Sequence, residues 1–331
     1  MWNFKSFSTF ISFLLRLPPS HYLLAASLYL LAFLYPGHNQ LQTIVLHPGP
    51  IRAYSLSEIA PLLYPLSDGI KAPYTTARAV VIQDVGSKTI LYSKNPDTLL
   101  LPASITKVMT ALVALEHWSD LDTQITVKNE DRAIGQTIDL VKGETITLKN
   151  ILYGLIVHSG NDAALAVAEN YCAPSGANGE VGSCGYTAFV KAMNDKAGEL
   201  HLDHTTFKNP SGVEQYGHTT TARDLAILAS FAMDNPIIAD MASTKFVTVT
   251  DASGTITHKL ETTNELLGVV PGMIGLKTGW TTAAGECLVS YVERDGRKIV
   301  VVVLGSLDRF GDSAKLIDWA YSHHSWITPD L

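Results

Sequence analysis

The sequence predicts a mixed α/β domain of the α+β kind, in which strands from both ends of the domain form one sheet and helices cover its two faces. Strand-like segments begin the patterned part of the chain at 79–92 and recur near its end at 287–304. The segments between them, and the last segment, have helical periodicity. Because hydrophobic faces must be buried in layers, this order favours a single sheet between helices.

Two hairpins supply the predicted strands. The apolar runs 79–82 and 89–92 flank the turn sequence Asp84-Val85-Gly86-Ser87. The runs 287–292 and 299–304 flank Asp295-Gly296. Short apolar runs on either side of such turns are typical of antiparallel hairpins.

Five segments have helical spacing of their apolar residues. In the first of them, Val108, Met109, Leu112, Val113 and Leu115 recur on one side. The helices are predicted at 104–118, 148–169 with an interruption at 158–160, 187–200, 221–233 and 312–326.

The composition excludes one class of function and points to one unusual segment. The chain has 331 residues, of which 47% are hydrophobic and 17% charged, and its formal net charge is -7. A negative net charge argues against nucleic-acid binding, because that affinity comes largely from neutralising phosphates. The charged fraction lies below the roughly 25% of ordinary soluble domains, so part of the chain must be unusually apolar.

That apolar part is the N-terminus. Lys5 and Arg16 are the only charged residues before Arg52, and 22–35 reads YLLAASLYLLAFLY. An uncleaved signal anchor fits, because 17–36 has about the 20 residues that span a bilayer. A cleaved signal peptide fits the basic start and short apolar run, although no small-x-small site follows, and a buried core helix is the third alternative. Positive charge on the N-terminal side alone predicts that the remainder is exported.

The chain is therefore divided into three parts. Residues 1–36 are the signal anchor or signal peptide, 37–75 are a proline-containing spacer, and 76–331 are one domain. Cys172 and Cys184 flank the loop-like stretch APSGANGEVGS. They could form a small disulfide in an oxidising compartment, or remain two unpaired thiols on a loop. Cys287, in an apolar run, is expected to be a small buried hydrophobe.

Ser104 and Lys107 form the first candidate for chemistry. They lie one helical turn apart, so the lysine amine can reach the serine hydroxyl. A neutral lysine there could take the serine proton during attack on a carbonyl. Such a pair also occurs by chance, and the alternative is a helix start with a solvated lysine.

Two further motifs follow along the chain. Ser159-Gly160-Asn161 interrupts the second predicted helix, where a hydroxyl could relay protons and an amide could orient a substrate. The alternative is an ordinary break between helices. Lys277-Thr278-Gly279 precedes an apolar strand, where lysine and a hydroxyl can hold a carboxylate. His158, which directly precedes Ser159, is expected to be structural and not part of a Ser-His dyad.

Together the three motifs are specific. S-x-x-K, S-D-N and K-T-G form the motif set of penicillin-binding proteins and class A β-lactamases. All three occur here in that order, with Gly160 in place of Asp in the second. From about residue 77 to the final helix the chain resembles the D-alanyl-D-alanine carboxypeptidases, which are low-molecular-mass penicillin-binding proteins. The resemblance includes ASITKVMTALVALE, LKNILYGLIVHSGNDAALAVAE, FKNPSGVEQYGHTTTARDLAILA and GLKTGWTTAAGECLVSY.

This resemblance implies a β-lactamase/transpeptidase-like fold with a mostly antiparallel sheet, and roles for named residues. Ser104 would be the acylated nucleophile, Lys107 its general base and Ser159 a proton shuttle. Asn161 would position Lys107 and the substrate amide. The substrate carboxylate would bind at Lys277, Thr278 and Gly279, and the oxyanion hole would be the backbone N–H groups of Ser104 and Trp280.

The resemblance also implies partners. The substrate would be a peptidoglycan stem peptide ending in D-Ala-D-Ala, β-lactams would be inhibitors, and no metal or organic cofactor would be needed. Many members carry a second β-rich domain and an anchoring C-terminal helix. We expect neither after Trp326, so the N-terminal segment would hold the protein at the extracytoplasmic face of the cell membrane. A cleaved signal would instead release the protein to the periplasm or cell wall.

Three alternative functions also fit the sequence. A β-lactamase or related esterase would need a glutamate that activates the deacylating water, and the nearest candidate is Glu214. A transpeptidase would pass the acyl group to an amine. A non-catalytic peptidoglycan-binding protein would be expected to have lost Ser104 or a lysine, and both lysines are intact.

Overall fold

The structure is a computed structural model that describes residues 63–128, 133–174 and 182–328. The predicted signal segment 1–36 and most of the spacer lie outside these ranges. The strands are β1 Tyr64–Ser67, β2 Ala79–Asp84, β3 Ile90–Lys94, β4 Gln124–Thr126, β5 Thr145–Thr147, β6 Phe246–Thr250, β7 Thr257–Glu261, β8 Met273–Thr281, β9 Gly285–Arg294, β10 Arg297–Ser306 and β11 His324–Ile327. The helices are α1 Thr106–His117, α2 Leu148–Ile156, α3 Asn161–Asn170, α4 Tyr186–Glu199, α5 Ala222–Met233, α6 Pro236–Ser243 and α7 Arg309–Ser322.

A five-stranded sheet organises the domain. Its order is β3-β2-β10-β9-β8, and every neighbouring pair is antiparallel. The first and last parts of the domain thus meet in one sheet, because β2 pairs with β10. The structure thus confirms the predicted α+β architecture, with an antiparallel sheet formed from both ends of the domain.

The sheet is buried on both faces because β10 is apolar at every central position. Side chains alternate between the two faces of a strand, so a continuous apolar run requires cover on both. The larger core, which includes α1 to α6, contains Val300, Val302 and Leu304. The smaller core against α7 contains Ile299, Val301, Val303, Leu316 and Ile317.

Two features of this fold position the site. Strand β8 lies at the edge of the sheet. Helix α1 is central in the helical layer, and its residues 106–114 are all buried. The start of α1 and the end of β8 face each other, because a Cβ atom added at Gly279 would lie 3.1 Å from the backbone nitrogen of Ser104.

The predicted final helix, 312–326, is wrong at its end. Helix α7 stops at Ser322, and β11 follows and pairs antiparallel with β1. The Trp326 ring stacks on Tyr321, and its Nε1 donates to Asp84 Oδ1 at 2.7 Å. These contacts outweigh the helical pattern of the sequence. Strand β1 belongs to the last part of the predicted spacer. Its pairing with β11 therefore also holds that part of the spacer on the domain.

Shorter elements were not predicted. The hairpins β4–β5 and β6–β7 each form a two-stranded sheet, and α6 begins at Pro236 after an Asn235 side-chain cap. Asn-Pro before an apolar run was a readable start signal for α6. Within the described ranges, no single helix is long and apolar enough to cross a bilayer. Only α5 and α6 taken together have the length and composition, and they are bent by 103°.

Candidate active site

Ser104 lies in a tight 3₁₀ turn, Ala103–Ile105, immediately before α1. The preceding Ala103 has φ 49°, a left-handed conformation that costs energy for any residue with a Cβ atom. This turn projects Ser104 into a cleft of about 600 Å³ between the helical layer and β8. The cleft is lined by Ser104, Ile134, Gly135, Gln136, Ser159, Asn161, Ser211, Gly212, Val213, Glu214, Thr263, Thr278, Gly279, Trp280, Thr281 and Thr282.

Lys107 is fully buried beneath the serine. Its Nζ lies 2.9 Å from Ser104 Oγ, 2.6 Å from Asn161 Oδ1 and 2.7 Å from the carbonyl oxygen of Ser211. Burial lowers the pKa of Lys107 well below its usual value, and the nearby Lys277 lowers it further. This environment favours the neutral amine.

The partners of a neutral Lys107 also fix its direction. The Ser211 carbonyl oxygen and Asn161 Oδ1 can only accept, so they take the two N–H bonds of a neutral amine. The remaining lone pair then points at Ser104 Oγ. A base oriented in this way can receive the serine proton.

Asn161 is held by backbone carbonyls on its other side. Its Nδ2 donates to the Ile134 carbonyl oxygen, and its backbone N–H donates to the Gln136 carbonyl oxygen at 2.7 Å. Because a carbonyl can only accept, the side-chain amide group faces Ile134 and leaves Oδ1 as the atom that faces Lys107.

Ser159 lies two residues before Asn161, in the turn between α2 and α3. It is buried, has φ 66° and lines the cleft beside Asn161. The turn therefore presents both side chains to the same space as Ser104.

Strand β8 forms the opposite wall of the cleft. At Gly279, a Cβ atom would lie 3.1 Å from Ala103 Cβ, from the Pro102 carbonyl oxygen and from the Ser104 nitrogen, so a glycine permits this close approach. Trp280 follows on the same edge strand, and its side chain is 61% exposed. The backbone of β8 thus runs directly past Ser104.

Lys277 and Thr278 lie deeper on β8. Burial and the charge of Arg309 lower the pKa of Lys277 to about 7. Its Nζ donates to the Thr278 carbonyl oxygen at 3.2 Å, and Thr278 Oγ1 lies 2.5 Å from Thr263 Oγ1. When protonated, this lysine is a buried cation beside the Thr278 backbone, and a buried cation favours an anionic partner such as a carboxylate.

Comparison with known proteins decides the family. The profile of the D-alanyl-D-alanine carboxypeptidase family matches residues 68–307. The chain is 34% identical over 283 residues to the D-alanyl-D-alanine carboxypeptidase DacF of Bacillus subtilis, covering 81% of this chain and 69% of the relative. It is 32% identical over 259 residues to a D-alanyl-D-alanine endopeptidase of Escherichia coli, covering 75% of this chain and 78% of the relative. The chain belongs to the D-alanyl-D-alanine carboxypeptidase family.

Solved structures of similar proteins agree with this assignment. The Streptomyces K15 DD-transpeptidase superposes with a TM-score of 0.68 at 31% identity, over 76% of this chain and 100% of that one. A D-alanyl-D-alanine carboxypeptidase from Mycobacterium tuberculosis gives the same TM-score at 29% identity, over 77% of this chain and 95% of that one. The match covers nearly the full length of both solved structures and confirms the β-lactamase/transpeptidase-like fold that the resemblance implies.

The structure brings the residues of all three sequence motifs to one cleft. Ser104, Ser159, Asn161, Thr278 and Gly279 line it. Lys107 and Lys277 lie behind that lining, with 0% and 1% of their surface exposed. Ordinary solvated lysines, the alternative at the sequence level, would be exposed.

Three functional neighbours were missed. They are Ser211, whose carbonyl binds Lys107, Thr263, which contacts Thr278, and Arg309, whose Nη1 donates to the Gly279 carbonyl at 3.1 Å. Ser211 lies in the quoted segment FKNPSGVEQYGHTTTARDLAILA, so the resemblance contained a signal for it. Nothing in the sequence pattern marks Thr263 or Arg309.

His158 and Glu214 have surroundings unlike those of the motif residues. His158 Nε2 contacts Gln136 Nε2 at 2.8 Å, and its Nδ1 lies 3.1 Å from the Glu261 carbonyl oxygen, which is a structural arrangement. Glu214 is exposed, and its Oε1 accepts from the Ala283 N–H at 2.8 Å. This contact ties Glu214 to the turn after β8, which gives the β-lactamase alternative no support.

The cysteines divide into a pair and a single thiol. Cys172 and Cys184 are joined by a disulfide bond, which is one of the two arrangements that the sequence left open. Cys287 is buried, and burial raises the pKa of its thiol to about 11. A thiol of that kind is unreactive at neutral pH.

Proposed function

We propose that this chain is a serine-type D-alanyl-D-alanine carboxypeptidase that removes the terminal D-alanine from peptidoglycan pentapeptide stems. The observation that carries the proposal is the orientation of Lys107, whose lone pair faces Ser104 Oγ when its two N–H bonds are taken by Asn161 and Ser211. The names of the curated relatives support the reaction class.

Acylation is the first step. Ser104 Oγ attacks the carbonyl carbon of the penultimate D-alanine while its proton passes to Lys107. The negative charge on the carbonyl oxygen is stabilised by the backbone N–H groups of Ser104 and Trp280, and removal of one such donor typically costs about 3 to 4 kcal/mol. Ser159 carries the proton from Lys107 towards the amine of the departing D-alanine, whose bond to the carbonyl then breaks.

The position of Lys277 selects a substrate that ends in a carboxylate. A protonated Lys277 and the Thr278 hydroxyl bind the terminal carboxylate, and Thr263 orients that hydroxyl through the 2.5 Å contact. The open backbone edge beside Gly279 lets the peptide lie along β8. Binding at this end places the penultimate carbonyl next to Ser104.

Deacylation completes the cycle. Lys107, neutral again after the first step, takes a proton from water as the water oxygen attacks the ester carbon. The bond from that carbon to Ser104 Oγ breaks, and the serine recovers its proton. Each of these steps uses side chains of this chain, its backbone N–H groups and water.

The acceptor is the point on which related proteins differ. The relatives are named carboxypeptidases and endopeptidases, and a structural neighbour is named a transpeptidase. The test is incubation of a pentapeptide ending in D-Ala-D-Ala with and without added glycine. Release of D-alanine with a tetrapeptide product supports the proposal, whereas a glycine-terminated product in place of the tetrapeptide identifies a transpeptidase. No release by a protein that binds penicillin covalently refutes the carboxypeptidase assignment.

We also propose that the catalytic domain acts outside the cytoplasm, attached to the membrane through residues 1–36 or released after signal cleavage. The substrate lies in the cell wall, the apolar segment 22–35 has positive charge only before it, and Cys172 and Cys184 form a disulfide, which favours an oxidising compartment. Intact-mass measurement of the mature protein separates the alternatives. A protein held by an uncleaved anchor begins at Met1 or Trp2, whereas a protein with a cleaved signal begins after the apolar segment.

A further inference from the structure

We infer that Glu144 and His258 form a buried positioning pair that holds Asn161, and through it Lys107, in the catalytic arrangement. The inference rests on the proposed function. Neither residue is among those that line the cleft, and each is only 5% exposed. A series of hydrogen bonds nevertheless connects the pair to Lys107, the proposed base.

The pair joins strand β7 to the segment 133–144, which we call the Asn161 support loop. His258 Nε2 lies 2.7 Å from Glu144 Oε1, and His258 Nδ1 lies 2.8 Å from the Ile138 carbonyl oxygen. Glu144 Oε2 accepts from the Val141 N–H at 2.9 Å. Four polar atoms of two side chains are therefore used to hold one loop.

The donors and acceptors determine how many protons the pair carries. The Ile138 carbonyl can only accept, so Nδ1 of His258 carries a hydrogen. Nε2 and Glu144 Oε1 then share one proton, either as imidazolium and carboxylate or as imidazole and carboxylic acid. In both forms each of these atoms is paired. Removing one partner leaves a buried polar group without its bond, which is strongly unfavourable.

The support loop also carries the two carbonyls that hold Asn161. The Ile134 carbonyl accepts from Asn161 Nδ2, and the Gln136 carbonyl accepts from the Asn161 backbone N–H at 2.7 Å. On its other side the loop is bound by Asp162, which accepts from the N–H groups of Ile138 and Leu140 at 3.0 Å. Two anchors, one on α3 and one on β7, thus fix the carbonyls that orient Asn161.

Loss of the β7 anchor has a defined consequence. If Ile138 moves, the Ile134 and Gln136 carbonyls move with it, and Asn161 Oδ1 no longer fixes Lys107 Nζ. A misplacement of about 1 Å in a catalytic arrangement can cost on the order of 100-fold in rate. The pair therefore acts on the chemical step without touching substrate.

Two substitutions at Glu144 separate geometry from charge. In Glu144→Gln, the amide oxygen accepts from the Val141 N–H and the amide nitrogen donates to Nε2 of a neutral His258, so every bond is kept. In Glu144→Asp, the charge is kept, but the side chain is one methylene shorter and cannot span both partners. We expect the acylation rate of the glutamine variant to match that of the wild type within about twofold. The acylation rate of the aspartate variant should fall by about tenfold or more.

The readout is the acylation rate of Ser104 by a fluorescent penicillin, measured with kcat and KM for D-alanine release. The loss should lie in the acylation rate constant and in kcat, with initial penicillin binding within about threefold of the wild type. His258→Phe should behave like Glu144→Asp. If His258→Phe does not fold, the two Glu144 variants carry the comparison.

Asp84→Ala is the matched control. Asp84 is a buried carboxylate that accepts from the Ser87 N–H and from Trp326 Nε1, at the opposite end of the sheet from Gly279. The Asp84→Ala substitution should lower the melting temperature without slowing the acylation of Ser104.

Three results would overturn the inference: a folded Glu144→Asp with wild-type acylation, a Glu144→Gln that loses as much as Glu144→Asp, or an equal loss in Asp84→Ala. If the wild type reacts with penicillin but releases no D-alanine, the proposed function fails, and the acylation rates still test the pair.

Discussion

Asn161 Oδ1 accepts a hydrogen bond of 2.6 Å from Lys107 Nζ, and this contact sets the direction in which the lysine lone pair points. The contact also makes the base sensitive to charge at position 161. Asn161→Asp would place a carboxylate against Lys107 and raise the pKa of the lysine. The acid limb of the pH profile for acylation should therefore move to higher pH.

Stopped-flow acylation by a fluorescent penicillin between about pH 5 and 9 measures this limb. Asn161→Ala is the control, because it removes the hydrogen bond without adding charge. It should slow acylation at every pH and leave the acid limb less displaced than Asn161→Asp does. An acid limb that stays in place in Asn161→Asp would argue that Lys107 is not the base.

The two buried lysines predict a bell-shaped dependence of kcat/KM on pH. Lys107 must be neutral, so activity falls as pH drops through its lowered pKa. Lys277 must be protonated to bind a carboxylate, so activity falls as pH rises through about 7 in the free enzyme. Lys277→Arg should move the alkaline limb upward, because a guanidinium stays charged, and should leave the acid limb in place. An unmoved alkaline limb would assign it to another group.

Gly212 predicts a steric effect on the nucleophile turn. Its φ is +86°, and a Cβ atom there would lie 1.8 Å from the Ala103 carbonyl oxygen. Gly212→Ala should therefore displace the turn that carries Ser104 and reduce both stability and acylation. Gly254 has φ +74° with nothing within 4 Å of an added Cβ atom, so Gly254→Ala measures the conformational cost alone.

Equilibrium urea unfolding of both glycine variants makes this comparison. We expect the free energy of unfolding of Gly254→Ala to fall by about 1 to 2 kcal/mol, with an unchanged acylation rate. Gly212→Ala should lose more and should also react slowly with penicillin. Equal losses in the two variants would show that the turn accommodates the extra methyl group.

The disulfide is expected to stabilise the domain without taking part in catalysis. Cys172 and Cys184 are 12 residues apart, and closing a loop of that size contributes about 3 kcal/mol in the chain-entropy description. Cys172 follows the C-terminal end of α3, whereas Asn161 begins that ten-residue helix. Reduction should lower the melting temperature but leave D-alanine release within about twofold at about 25 °C.

Cys287→Ala is the control for this measurement, because it removes the buried free thiol and should leave the effect of reductant unchanged. The double variant Cys172→Ala with Cys184→Ala should be insensitive to reductant. A melting temperature that does not respond to reductant in the wild type would contradict a bonded pair.

Much of the fold could be predicted because it depends on local pattern. The continuous apolar run of β10, the Asp295-Gly296 turn and the helical spacing around Leu112 each appear directly in the sequence. The end of α7 could not be predicted in this way. Its boundary depends on the pairing of β11 with β1, which lie at opposite ends of the domain, and no local pattern encodes that contact.

The residues around the cleft could be predicted where motif residues contribute their own side chains, as Ser104, Lys107 and Asn161 do. They were missed where the contact comes from a backbone carbonyl or from a residue without a motif. Ser211 contributes its backbone carbonyl to Lys107, and Arg309 lies at the start of α7. Glu144 and His258 act through the Asn161 support loop. Any side chain can accompany a backbone carbonyl, so residue type carries no signal for such a role.

The role of Ser104 as the acylated nucleophile is tested by locating the covalent adduct. Wild type, Ser104→Ala and Lys107→Ala are mixed with benzylpenicillin, and intact mass and peptide mapping locate the adduct. Ring opening adds the whole penicillin molecule. We expect that mass on the peptide containing Ser104 in the wild type, no adduct in Ser104→Ala and strongly slowed labelling in Lys107→Ala. An adduct that persists in Ser104→Ala, or that maps to another residue, would contradict this role of Ser104.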